Sequence, residues 1–224
     1  MKFLVTIFLT FFLSFQVKAD LKKFNQEMLP VLKDFKAKNY EAAFDQLIPL
    51  HESGNVIATH YMGIMFLNGL YVDKNLDAAA AAFDSAAKDA KEGGYIDSLF
   101  MLARNFYSNP DSKYYNFRKG YQYYLILEEV GHPLGTFNLG VNALIMLKKH
   151  KDPKFVLDRS EKALKKAISL GVPDAKWVLY IVEKEKLKRG YINKLSTVKY
   201  LQELASKKSD IQAQVAYELA WVYK

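Results

Sequence analysis

The side chains best suited to metal binding or proton transfer at neutral pH are four histidines, His51, His60, His132 and His150. His51 and His60 bracket HESGNVIATH, which lacks the HExxH spacing that puts two ligands on one helical face. A histidine in this setting is expected to be packed or solvated, and His60, two places after Ala58, has the alternative of pointing into a groove. Glu128-Glu129 and Glu183-x-Glu185 are neighbouring acids that would do acid–base work only across a cleft from a second carboxylate. On helices such acids are expected to be solvated. GTFNLG (Gly135–Gly140) has two glycines but neither the lysine nor the preceding strand of a phosphate loop, and no nucleophile-elbow motif occurs. The sequence therefore offers no catalytic residue, no cofactor and no metal ligand set.

Two stretches suit recognition better. YYNFRKGYQYY (Tyr114–Tyr124) holds six aromatics in eleven residues, with Arg118 and Lys119 among them. Tyrosine and arginine bury large areas with few rotors to freeze and are enriched at interface hot spots. Tyr121 and Tyr124 are expected to pack internally. Tyr114, Tyr115 and Phe117 fall between helices, where packing demands are weaker, and are the aromatic candidates for partner binding. LKKHKDPK (Leu147–Lys154) sets five basic or histidine side chains against one acid, and Lys148, Lys149 and Lys151 are its candidates for steering an acidic partner.

What positions these residues follows from the rest of the chain. It opens MKFLVTIFLTFFLSFQVKAD: a basic Lys2, an apolar run from Phe3 to Phe15, and Val17-Lys18-Ala19 as a small-residue cleavage site. This is the pattern of a secretory signal peptide over 1–19, with an apolar run too short to span a bilayer, so delivery to a bacterial periplasm is expected; an uncleaved anchor is the alternative. There is no cysteine, which removes disulfides and thiolate metal sites. The formal charge is +8, unevenly spread. Residues 20–110 carry 9 Lys/Arg against 12 Asp/Glu, and residues 111–224 carry 21 against 12. The basic half either steers towards an acidic protein or anionic surface or is a lysine-rich solvated face; nucleic acid is a poor partner for an exported chain.

A small residue followed five places on by another, with a large apolar residue just before the second, recurs along the chain. Ala58–Gly63, Ser98–Ala103, Gly135–Gly140, Ala175–Tyr180 and Val215–Ala220 keep a register near 40 residues. On a helix this lets a neighbour approach closely, which gives Gly63 a packing role despite its propensity cost. Gly63→Ala is then expected to be mild or even stabilising, and Gly63→Leu to overpack. Between these stretches lie second helices. DAAAAAFDSAAKDA (Asp77–Ala90) is one, and RSEKALKKAISLG is another, with Ala163, Leu164, Ala167, Ile168 and Leu170 on one stripe, Gly171 as its stop and Pro173 beyond. Gly131 and Pro133 repeat that stop. The unit is helix–turn–helix in tandem.

MGIMFLNGLYVDKNLDAA and SEKALKKAISLGVPDAKW resemble the Sel-one-like repeats, relatives of the tetratricopeptide repeat with a longer unit. The resemblance runs over roughly Asn39 to Lys224, departing where Tyr180 replaces a small residue, where 104–118 lack the glycine turn, and over 183–199. It implies an all-α, right-handed α/α superhelical solenoid, with 20–57 as an N-terminal helical pair, either a cap or a degenerate repeat, and 58–224 as an array ending in a lone helix. It further implies a monomer that binds proteins or peptides and assembles complexes in the envelope, not an enzyme. Restraint of an envelope enzyme or a toxin is one version; a groove for peptidoglycan fragments, enzymatic or only binding, is the alternative. In such a solenoid the aromatic and basic clusters, both in inter-helix connections, are expected along one edge.

Overall fold

The computed structural model describes residues 22–88, 94–147, 150–198 and 202. The expected signal peptide, residues 1–19, and the fifth register of the pattern, Val215–Ala220, lie outside the described residues. The elements are α1 (Leu29–Lys36), α2 (Tyr40–Glu52), α3 (Val56–Asn68), α4 (Leu76–Ala87), α5 (Ile96–Met101) running on as a π-helix over Leu102–Tyr107, α6 (Phe117–Glu129), α7 (Pro133–Met146), α8 (Pro153–Ser169) and α9 (Ala175–Lys188). Among the described residues there is no strand, and no helix is long and apolar enough to cross a membrane.

The chain forms two compact units, one through Tyr123 and one from Tyr124. In the first, α1 packs on α2, α2 on α3 and α3 on α4, around a core that includes Met28, Leu47, Ile57 and Met65. In the second, α7 packs on α8 and α8 on α9, around Leu157, Leu164, Leu179 and Val182. The stripe expected on α8 is real: Ala163, Leu164 and Ala167 are buried, with Ile168 packed against them.

Helix starts are fixed by side-chain caps. Asn55 accepts from the Ile57 and Ala58 N–H groups, Asn75 from Asp77 and Ala78, Asp152 from Phe155, and the His132 ring from Gly135. Each satisfies donors that have no partner inside the helix. Helix ends carry the expected glycines, with Gly69 at φ 67°, Gly131 at 75° and Gly171 at 87°. Pro133 then opens α7, where its missing N–H costs nothing.

The recurring small residues sit at helix contacts. Ala58, Ser98, Ala103 and Ala175 are fully buried. A methyl at Gly63 would lie 2.8 Å from the Phe83 ring, and one at Gly140 2.7 Å from Leu164 Cγ. This confirms the packing role of Gly63 but corrects the expectation for Gly63→Ala. Phe83 is itself fully buried, so its ring would have to shift within the packed interior to admit the methyl. Tyr180, where a small residue was expected, is buried against Trp177. The missing glycine turn of 104–118 is replaced by the π-helix, which ends at Ser108. Gly120 of α6 lets that turn approach: a methyl there would lie 2.3 Å from Ser108 Oγ.

Candidate functional site

The connection from Ser108 to Asn116 is built by local polar bonds: Asn109 Oδ1 accepts from the Asp111 N–H, and Ser112 Oγ from the Tyr114 N–H. Its aromatic residues are not equally free. The Tyr114 hydroxyl donates to the Asp77 carboxylate at the start of α4, and Lys113 pairs with the same group at 2.6 Å. Those two hydrogen bonds hold the Asp77 carboxyl below its usual range. The Tyr114 ring also meets Phe106 edge-on, with centroids 5.7 Å apart. Tyr114 therefore ties the connection to α4, which corrects the expectation that packing demands on it are weak. Phe117 opens α6 and stacks on Tyr121. Tyr115 is 48% exposed and presents its ring to solvent. Close by, Lys119 reaches the Tyr107 hydroxyl at 2.6 Å and lies over the Tyr107 and Tyr123 rings.

The basic cluster belongs to the second unit. Lys148 and Lys149 lie outside the described residues; Lys151 is exposed. The turn also carries a feature that the sequence reading did not single out. Phe155 is 59% exposed with His150 stacked on it, and Ile145, in the last turn of α7, is 58% exposed. A charge pattern marks a turn as basic, but it does not show which apolar residue of the following helix points outward.

His60 does not face an open groove. It is buried between Tyr61, Phe83 and Tyr95, and its Nδ1 meets Ser98 Oγ at 2.7 Å. Burial lowers its pKa to about 4, only partly countered by Asp97. Ser98 is also fully buried, so this pair has no access for a substrate; it links α3 to α5.

Nor are the paired acids simply solvated. Glu128 faces Lys166 at 3.3 Å and Arg159 at 3.5 Å. Glu183 is buried and accepts the N–H and hydroxyl of both Ser196 and Thr197. A carboxylate with four donors is a lock for the segment after α9, and it replaces the repeat pattern that 183–199 lacks. Beside it Lys186 reaches Asp158 at 2.6 Å and Glu161 at 2.5 Å, while Lys154 and Lys165 share those acids. Burial acts to lower the Lys186 pKa, yet hydrogen bonds and charge from the two carboxylates raise it overall. Glu161, Lys165, Glu183 and Lys186, with Tyr191 and Asn193, line an open cleft of about 630 Å³. Sequence reasoning missed this convergence because Asp158, Glu161 and Lys186 lie on two helices, and single-helix spacing cannot pair them. Asp158, Glu161 and Lys186 already answer one another, so these pairs form an ionic joint between α8 and α9. Among the described residues no three His, Cys, Asp or Glu side chains are arranged to hold a metal ion.

No protein-family model matches the chain, and no curated protein matches it. Solved structures do. A Sel1 repeat protein from Oxalobacter formigenes is similar at a TM-score of 0.68 and 19% identity, over 87% of this chain and 75% of that one. So is c5321, a protective antigen of uropathogenic Escherichia coli strains with an SLR fold, at a TM-score of 0.60 and 14% identity, over 81% of this chain and 36% of that one. The fold is thus that of the Sel-one-like repeats, all-α and built of tandem helix pairs.

Proposed function

We propose that the protein is an exported, periplasmic repeat protein that acts as a protein–protein interaction scaffold. The observation that carries this is the distribution of its polar groups. Buried acids and lysines are answered within the fold, as at Glu183 and Lys186, while aromatic side chains are presented outward at inter-helix connections and in the helix turn beside them, as at Tyr115 and Phe155. Stacked helix pairs give repeat proteins extended binding surfaces, and exposed aromatic anchors are what an interface uses. The apolar run of 1–19 with its cleavage site supports export, and an SLR-fold neighbour described as a protective antigen accords with a place outside the cytoplasm. Restraint of an envelope enzyme or a toxin is the version in which one such partner is held inactive.

Partner contact is assigned to Tyr114, Tyr115 and Phe117 with Lys148, Lys149 and Lys151. Within this set Tyr115 is the exposed anchor, while Tyr114 is tied to Asp77 and Phe117 stacks on Tyr121. Capture on the mature protein from envelope extract, followed by mass spectrometry, tests the reading. A captured partner should dissociate faster from Tyr115→Ala, with a loss of up to about 2 kcal/mol, at an unchanged helical circular-dichroism signal. Lys151→Glu should slow association with an acidic partner, and that effect should fade above ~0.15 M salt, where the screening length is about 8 Å. Turnover of purified peptidoglycan by the mature protein, with no protein captured, would replace this reading with an enzymatic one.

A further inference from the structure

A second surface lies in the first unit, on the acidic half of the chain. Along α2, Ala43 and Leu47 face the core, Phe44 packs at its edge, and Glu41, Asp45 and Ile48 follow the spacing of the outer face. Glu41 and Asp45 are exposed, and Ile48 is 39% exposed. Onto this face the α3–α4 connection brings Tyr71. Its hydroxyl donates to Glu41 at 3.3 Å and its ring lies 5.8 Å from that of Phe44. Phe44 is braced in turn by Phe66. The ring is therefore held in place and still 55% exposed. Tyr71 also sits at φ 66°, a left-handed conformation unfavourable for a bulky residue, where glycine or asparagine would be the easy choice.

The charge around this ring is one-sided. Among the described residues no lysine or arginine forms an ion pair with Glu41, Asp45 or the neighbouring Asp73, although Lys74 follows in the same connection. The Tyr71 phenol pKa is pushed up, first by the Glu41 charge and also by Asp45, which reports the same negative field. A fixed aromatic face beside two exposed carboxylates is complementary to a cation that carries apolar surface. Arginine fits better than lysine, because its planar guanidinium stacks on a ring and spans carboxylates in a fixed fork. We propose that the Tyr71 face docks a basic segment of a partner protein, with an arginine laid over the Tyr71 ring and held by Glu41 and Asp45. The proposal does not depend on the Tyr115 and Lys151 contacts.

Fluorescence anisotropy with the mature protein tests it. The probe is a labelled peptide of alternating arginine and leucine, and its control carries citrulline, a neutral isostere, in place of arginine. The arginine peptide should bind at least about tenfold more tightly than the citrulline peptide, the order expected of one partly desolvated cation–π contact with charge support. Tyr71→Gly should lose that advantage and keep the parent's melting temperature, since relief of the left-handed tyrosine offsets the lost Phe44 contact. Glu41→Gln with Asp45→Asn leaves the ring in place and should also lose it; this variant decides if Tyr71→Gly unfolds. Tyr115→Ala should change nothing. Equal binding of the two peptides, or parent-like binding by the Glu41→Gln, Asp45→Asn variant, overturns the proposal. Concentration-dependent self-association in sedimentation, abolished by Tyr71→Gly, would instead assign the face to a second copy of the chain and equally overturn it.

Discussion

Acidification should destabilise this protein through His60 well before most carboxylates are protonated. The ring is buried among Tyr61, Phe83 and Tyr95, beside Ser98 and within the field of Asp97. Its pKa is about 4 folded, against 6.5 for an ordinary histidine. The unfolded chain therefore binds the proton more readily, so stability is complete above the unfolded value and falls as pH drops towards 4. The full difference of 2.5 pH units corresponds to about 3.4 kcal/mol, and at pH 5 about 2 kcal/mol is already lost. Against a typical total of about 5–15 kcal/mol this is a large share. The assay is urea denaturation from pH 7.5 to 4.5, followed by circular dichroism, on the parent and on His60→Gln. Gln cannot take the proton, and every other titrating group is common to both chains. His60→Gln should be less stable at neutral pH, where the ring's packing is lost, and the gap should narrow by about 2 kcal/mol at pH 5. Parallel pH profiles would refute the reasoning, since His60 would then titrate alike folded and unfolded.

Gly63→Ala should destabilise by about 1–2 kcal/mol, the overpacking against Phe83 exceeding the helix-propensity gain of about 1 kcal/mol. Phe83→Leu in the same chain should recover part of the loss, giving a coupled double-mutant cycle in thermal melts; additive effects would mean that the two residues do not meet. Glu183→Gln should cost about 1–3 kcal/mol. The amide oxygen can still accept from the Ser196 and Thr197 N–H groups, but the amide nitrogen replaces the oxygen that accepts the Ser196 hydroxyl, and the charge assistance of the bonds is lost. A parent-like midpoint in denaturant would show that the segment after α9 does not rely on this lock. N-terminal sequencing of the exported protein should begin at Asp20, and an intact Met1 chain in the membrane pellet would count against export by a cleaved signal.

The helix pairs were legible because small residues and stop glycines have local physical causes. Ala58, Gly63, Ala103 and Gly140 occur where a neighbouring helix must come close, and Gly69, Gly131 and Gly171 where the backbone must turn left-handed. Both demands act on single positions and survive in one sequence. What was not legible depends on pairs. Glu183 reads as a surface acid until Thr197 folds back onto it, and Lys186 as a solvated lysine until α8 supplies Asp158 and Glu161. The π-helix at Leu102–Tyr107 likewise has no glycine to announce it.

The same distinction explains why one structural device wears two sequences. Gly63 on α3 receives the Phe83 ring from α4, twenty positions on. Twenty positions after Gly140 stands Ser160, whose hydroxyl donates to the Gly140 carbonyl at 2.7 Å, while Leu164, one turn further, fills the space over the glycine. In the first unit the contact is closed by an aromatic ring, in the second by a hydrogen bond and an aliphatic side chain. The bare glycine is what both require, since either solution needs the second helix within reach of the first helix's backbone. The filler is free to change with local volume, so the glycine register repeats and the residue opposite does not. A binding surface is freer still: Tyr71 and Tyr115 both occupy inter-helix connections, but neither is imposed by helix packing. Such positions are where a repeat chain can vary its partner without disturbing its fold.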